Sequence, residues 1–425
     1  MLKQFKQDYL HKDKAINLLV ILYAAVLPWG YATANIVLGV MGVFFLFSFF
    51  SGKKTSINKG ESAFWIINFS ILFFIYLFSI LYTDNIPIGL HSIIKKTPIL
   101  CFTIIIVYFK NEIEGKAILK ALKAFSFSIF LVCIISIILS AYHCYDYKFE
   151  ILLYCLSDQN LAEAFISYHK LYMALYVCIA IFFLLYISFF STKKYKFFSW
   201  ENLQILLLFF TLILLGTRNS IALSAVFLIG FPVSYWIKNK TYIKLFIYCF
   251  IIIIAVIGSI SLNPMLREKI KEGINYENQY NINKRWGGLT TRKLIWEHAY
   301  YVVAKDPLLG VGVGDTQKEL DKSFLNITDT NALKYSVYNA HNDLLQITVT
   351  SGILGLCFYL FCFAYIFQVS FKKKNYIHCS FMLLFLFSGL TESLLERDMG
   401  IRVFAFFTIL LFIYKKQIHE NSSIT

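Results

Sequence analysis

The run Leu171-Tyr172-Met173-Ala174-Leu175-Tyr176-Val177-Cys178-Ile179-Ala180-Ile181-Phe182-Phe183-Leu184-Leu185-Tyr186 contains no charge and lies within a longer apolar stretch, Tyr168–Phe190. About 20 such residues cross a bilayer as a helix. A helix is required because, without water, each backbone N–H and C=O must be satisfied inside its own segment. His169 and Lys170 stand at one end of the stretch, and Lys193, Lys194 and Lys196 follow the other. Composition agrees: 58% of residues are hydrophobic, 15% are charged and the mean hydropathy is +0.63. A soluble domain is closer to one quarter charged.

Eleven more runs of this kind are read from the sequence. They are Ala15–Trp29, Ala34–Phe50, Ala63–Leu81, Ile93–Phe109, Ala117–Ala141, Leu203–Leu215, Ile221–Ile237, Tyr242–Leu262, Asp343–Ser370, Tyr376–Leu394 and Ile401–Tyr414. Lysines gather in alternate connections, for example Lys53, Lys54 and Lys59, then Lys372, Lys373 and Lys374. Thr83–His91 and Thr391–Gly400 contain no lysine. The positive-inside rule therefore predicts that both termini are cytoplasmic. The net charge of +15 reads as a topology signal, because a nucleic-acid partner would need one clustered basic face. The fold class expected is an all-α polytopic membrane protein with about twelve transmembrane helices. Three parts are expected: a bundle over 1–262, a periplasmic helical loop over 263–340, and three membrane helices with a cytoplasmic tail over 341–425. Lysines, an apolar stretch and Ala32-Thr33-Ala34 mimic a signal peptide, but further helices follow directly. Cys144 and Cys155 share an external connection and are a candidate disulfide by position.

Charged and polar residues at helix ends need an explanation in such a chain. Tyr338-Asn339-Ala340-His341-Asn342-Asp343-Leu344-Leu345 puts a histidine where a long polar segment meets an apolar run. A neutral imidazole there can act as a base, and Asn342 or Asp343 can orient the ring or cap the helix. Gly216-Thr217-Arg218-Asn219-Ser220 places an arginine in a short external turn. Arg218 either snorkels to water or grips an anion such as phosphate with its planar fork.

Leu289-Thr290-Thr291-Arg292-Lys293-Leu294-Ile295-Trp296 predicts a helix, capped by Thr290 or Thr291, that ends before Asp306-Pro307. On spacing alone, a surface helix is favoured over one that turns Arg292 inward beside Arg218. Gly310-Val311-Gly312-Val313-Gly314-Asp315 follows a helix and a proline, not a strand, so a dinucleotide loop is rejected. Its glycines are read as tight turns that bring the chain back to the membrane. Glu392 lies in or beside a membrane helix at an external turn rich in charge, and a structural ion pair with Arg397 or Arg402 is favoured for it over a direct catalytic role. No metal motif is present, and no cofactor is expected.

Three of these features in this order resemble the O-antigen ligase family, which also includes O-antigen polymerases and protein O-oligosaccharyltransferases. They are Gly216-Thr217-Arg218; Arg292-x-x-x-Trp296 followed by Asp306-Pro307-Leu308-x-Gly310-x-Gly312; and His341-Asn342-x-x-Leu345. The resemblance implies a membrane-embedded, GT-C-type glycosyltransferase with its large loop between helices nine and ten. The implied donor is an undecaprenyl-diphosphate-linked glycan, and the implied acceptor is lipid A core, another glycan or a protein. The implied site faces the periplasm from the bacterial inner membrane. There Arg218 and Arg292 would hold the diphosphate without a metal, and His341 would act as base on the acceptor hydroxyl. Trp296, His169 and Asn342 join the substrate-binding candidates. A polymerase is the alternative within this class, and a lipid-linked glycan transporter the alternative outside it. A transporter predicts repeats and broken mid-membrane helices around its site, whereas the candidates here cluster at external helix ends.

Overall fold

Long apolar runs leave the backbone few ways to satisfy its hydrogen bonds, and every regular element described is helical. A computed structural model describes residues 2–51, 59–144, 156–191, 195–262, 267, 288–325 and 338–414. In chain order the helices are α1 (Leu2–Val26), α2 (Tyr31–Phe50), α3 (Lys59–Phe69), α4 (Ile71–Ser79), α5 (Ile86–Tyr108) and α6 (Gly115–His143). They continue with α7 (Asp158–Ile166), α8 (Lys170–Tyr186), α9 (Trp200–Leu215), α10 (Arg218–Lys238) and α11 (Tyr242–Leu262). The last are α12 (Gly288–Lys305), α13 (Thr316–Leu325), α14 (Asp343–Lys372), α15 (Tyr376–Gly389) and α16 (Asp398–Ile413).

Each apolar run predicted from the sequence falls within one or two of these helices and the short turns that extend them. Among the described residues, six helices are long and apolar enough to cross a membrane. A seventh span is added if α3 and α4, bent by 67° with respect to each other, are one crossing. The chain is a multi-pass membrane protein. The candidate disulfide involves Cys155, which lies outside the described residues.

Helix α8 is apolar on all sides, and every residue from Tyr172 to Tyr186 is buried. Such a helix belongs at the centre of a bundle. Helices α6, α9 and α10 pack around it, and α5 packs on α16. Aromatic rings fill the interior: Phe407 lies 4.8 Å from Phe183 and 5.1 Å from Phe125 between ring centroids.

The glycine-rich segment after α12 docks in two places. Helix α14 breaks at Gly352, where φ is +64°. The break frees backbone groups that a continuous helix would use internally. Ile353 N–H donates to Pro307 O at 2.8 Å, Val311 N–H to Val349 O at 3.0 Å and Gly312 N–H to Thr350 O at 3.0 Å. Only a residue without a side chain fits here, since a Cβ on Gly352 would lie 2.1 Å from Leu308 O. At the second place Asp315 Oδ2 accepts from Thr83 Oγ1 at 2.7 Å and Asp84 N–H at 2.6 Å. Burial alone would raise the Asp315 carboxyl, but the hydrogen bonds from Thr83, Asp84 and Asn85 outweigh it and hold its pKa below the ordinary value. The glycines therefore bring the segment back onto the bundle, as the sequence predicts.

Candidate functional site

The site starts from the cap of α14. Asn342 Oδ1 accepts from Leu344 N–H at 2.9 Å and Leu345 N–H at 3.1 Å, satisfying two orphan donors of the first turn. The same residue reaches the turn between α15 and α16: its N–H donates to Ser393 Oγ at 3.1 Å and its Nδ2 to Leu390 O at 3.1 Å. Asp343 Oδ1 accepts from Leu395 N–H at 2.9 Å. With its neighbours pinned in this way, His341 takes a left-handed backbone, φ +45°. That conformation costs a non-glycine residue about 1–3 kcal/mol and persists only where surroundings over-determine it.

This backbone puts His341 Nδ1 2.9 Å from Glu392 Oε2. A carboxylate only accepts hydrogen bonds, so Nδ1 is the donor here, and in the neutral ring the lone pair is then on Nε2. Arg292 Nη2 lies 3.9 Å from the same Glu392 oxygen. Burial lowers the pKa of the Arg292 guanidinium, Glu392 works against that, and the charge of Arg218 lowers it further. The two arginines are thus close enough to act on each other. Arg218 opens α10 after Thr217, and the left-handed φ of +60° at Gly216 ends α9. Asn219 Nδ2 donates to Thr391 Oγ1 at 2.7 Å, tying this helix start to the same turn as His341.

Residues remote in sequence therefore meet at one turn. Helix α12 begins at Gly288, so Thr290 and Thr291 lie in its first turn and are not its cap, and it ends at Lys305 as predicted. It turns Arg292 towards Glu392, against the surface-helix reading that spacing favours. Trp296 packs with the apolar cluster of Leu294, Ile295 and Phe324. Tyr338 packs on the same cluster, and its ring lies 5.4 Å from that of His341. His169 precedes α8 with an exposed side chain. Desolvation lowers its pKa, and the charges of Glu392 and His341 both reach it. Lys170 pairs with Asp158 at 2.5 Å.

Glu392 is the residue whose place the sequence reading missed. Its expected partners are engaged otherwise or lie elsewhere: Arg402 donates to Asn35 Oδ1 at 2.5 Å and to Tyr31 O at 3.1 Å. The available signal was an acid held at a membrane boundary opposite a histidine and two arginines. A second ion pair, with its lysine fully buried, braces the same turn. Lys96 Nζ lies 3.1 Å from Glu396 Oε1, which also accepts from Tyr76 Oη at 2.5 Å. Among the described residues no group of three or more His, Cys, Asp or Glu side chains is arranged to hold a metal ion.

Residues 203–360 match the family model described as O-Antigen ligase. Over that segment the chain is similar to the O-antigen ligase family. It is 22% identical over 171 residues to the O-antigen ligase of Escherichia coli (strain K12), a match spanning 39% of this chain and 39% of that relative. The matched segment contains Arg218, Arg292 and His341 and stops short of Glu392.

Proposed function

We propose that the protein is a membrane glycan transferase that moves a saccharide from an undecaprenyl-diphosphate carrier to an acceptor hydroxyl at the periplasmic face. The observation that carries this reading is the 2.9 Å contact between His341 Nδ1 and Glu392, with Arg292 beside it. Nε2 of His341 takes the proton of the acceptor hydroxyl. The hydroxyl oxygen bonds to the anomeric carbon, and the bond from that carbon to the diphosphate breaks. The electron pair leaves with the diphosphate, where Arg218 and Arg292 meet the growing negative charge. Glu392 holds the imidazole and stabilises the imidazolium that forms. Two guanidiniums supply the charge that a metal supplies in other phosphate chemistry, so activity is expected to survive a chelator.

The alternation of lysines supports both termini being inside, with His341 on the opposite face. A ligase and a polymerase share this chemistry and differ in the acceptor. The test is transfer from purified undecaprenyl-diphosphate glycan, with chelator present, to lipid A core, to a second lipid-linked glycan or to protein. Product on one acceptor, lost in His341→Ala, is the expected result. Movement of the glycan between leaflets without any glycosidic bond would replace this reading by transport.

A further inference from the structure

A cavity of about 1160 Å³ opens at the other end of the bundle. Its lining includes Tyr186, the last residue of α8, and Phe190 just beyond it, with Lys373 and Lys374, which follow the far end of α14. Helix α14 has 30 residues, so even with its break at Gly352 it sets this cavity and His341 at opposite ends, at most about 45 Å apart at 1.5 Å per residue. The volume exceeds the roughly 300–1,000 Å³ typical of small-molecule pockets.

The lining is divided in character. Val226, Phe227 and Phe231 of α10, with Phe190 and Phe412, make an apolar flank. Val226 is 63% exposed, so this flank opens sideways towards lipid. Among the described residues, Lys110, Lys373 and Lys374 stand at the rim with one acid, Glu61. Glu61 is already engaged by Lys110 at 3.1 Å. The Lys373 ammonium sits 4.7 Å above the Phe412 ring, which joins the basic rim to the apolar flank. Lys374 occupies a left-handed position, φ +55°, at the end of α14. Glycine takes such a position without cost, yet the chain keeps a cation there.

An apolar slot open to lipid, closed at its polar end by excess positive charge, fits an anion with a hydrocarbon tail. We infer that this cavity binds an anionic phospholipid, its phosphate at Lys373 and Lys374 and one acyl chain along Phe231 and Phe412. Basic pockets between membrane helices select anionic headgroups in this way. The inference is independent of glycan transfer, since neither the residues nor the ligand belong to the His341 site.

The test is native mass spectrometry of the full-length protein in mild detergent, titrated with phosphatidylglycerol or phosphatidylethanolamine of the same acyl chains. Wild type is expected to prefer phosphatidylglycerol by about 10- to 30-fold, from two lysines at the headgroup. The variant Lys373→Gln with Lys374→Gln is expected to lose the preference while keeping weak binding of both lipids. Gly230→Trp fills the slot from a position where an added Cβ meets nothing within 4 Å, and is expected to lose both. Equal binding of the two lipids by wild type would overturn the inference. So would full retention in Gly230→Trp, which would put the lipid elsewhere. Competition by glycerol phosphate at the concentration of the lipid would mean a phosphate site without a chain.

Discussion

Glu392→Gln separates charge from shape at the site. Glutamine still offers an oxygen to His341 Nδ1–H, so the ring stays in place while the negative charge is lost. When His341 takes a proton, the imidazolium and carboxylate lie 2.9 Å apart. Coulomb's law gives about 1.4 kcal/mol for that separation in water and about 6 kcal/mol at an effective dielectric of about 20. The side chains are 19% and 10% exposed, so solvent screens the pair in part and the upper figure is discounted. At about 1.4 kcal/mol per factor of ten, turnover is expected to fall by about 10²- to 10³-fold. Donor binding is expected to hold or tighten, because Arg292 loses the acid 3.9 Å away that competes for it. The assay is single-turnover transfer in proteoliposomes alongside binding of the lipid-linked donor. Turnover within about threefold of wild type, in a protein whose His341→Ala variant is inactive, would refute the role given to Glu392. A parallel loss of donor binding and turnover would point to a merely structural part.

Four further outcomes follow from the same geometry. His341→Ala is expected to cost about 10²–10⁴ in turnover, with donor binding and membrane insertion retained, as read by the same paired assay. Arg292→Lys and Arg218→Ala are both expected to weaken donor binding and turnover, the first because lysine lacks the planar fork; full activity in either removes that residue from the site. Lys96→Met leaves Glu396, 19% exposed, without its cation, a loss of at most about 3–5 kcal/mol. Adding Glu396→Leu is expected to recover most of that in thermal unfolding. Asp315 has a folded pKa held below its reference of 3.8, so its contribution is present above that pH and lost as pH falls through the folded value. The melting difference between wild type and Asp315→Asn, about 1–2 kcal/mol at neutral pH, is therefore expected to close on acidification below about pH 3.8.

The helices were legible because length and apolarity are local properties, and the runs from Ala15 to Tyr414 fall on helical elements, save that Tyr376–Leu394 leaves its helix after Gly389. The glycines of Gly310–Gly314 were legible as turns for a related reason, since left-handed backbone is written in residue type. Their receiving surface was not. Gly352 sits in an apolar run where a helix tolerates one glycine, and only the approach of Leu308 O shows that the helix must break there. Glu392 failed differently. Arg397 and Arg402 are near in sequence, but the fold spends Arg402 on α2 and brings in His341 across 51 positions. Lys96 carried a signal that went unread, a cation inside a predicted membrane run, which implies a buried partner.

The turn at Thr391-Glu392-Ser393 also bears on how such proteins are recombined. A swap between relatives that follows the boundaries of sequence similarity would exchange residues 203–360 and leave this turn behind. Imported Arg292 and His341 equivalents would then face a resident acid chosen for other partners. Asn342 and Asp343 would have to find Ser393 and Leu395 in a foreign register. The smallest heritable unit of this site therefore extends through the turn before α16, and hybrids with a junction after that turn are the ones expected to work.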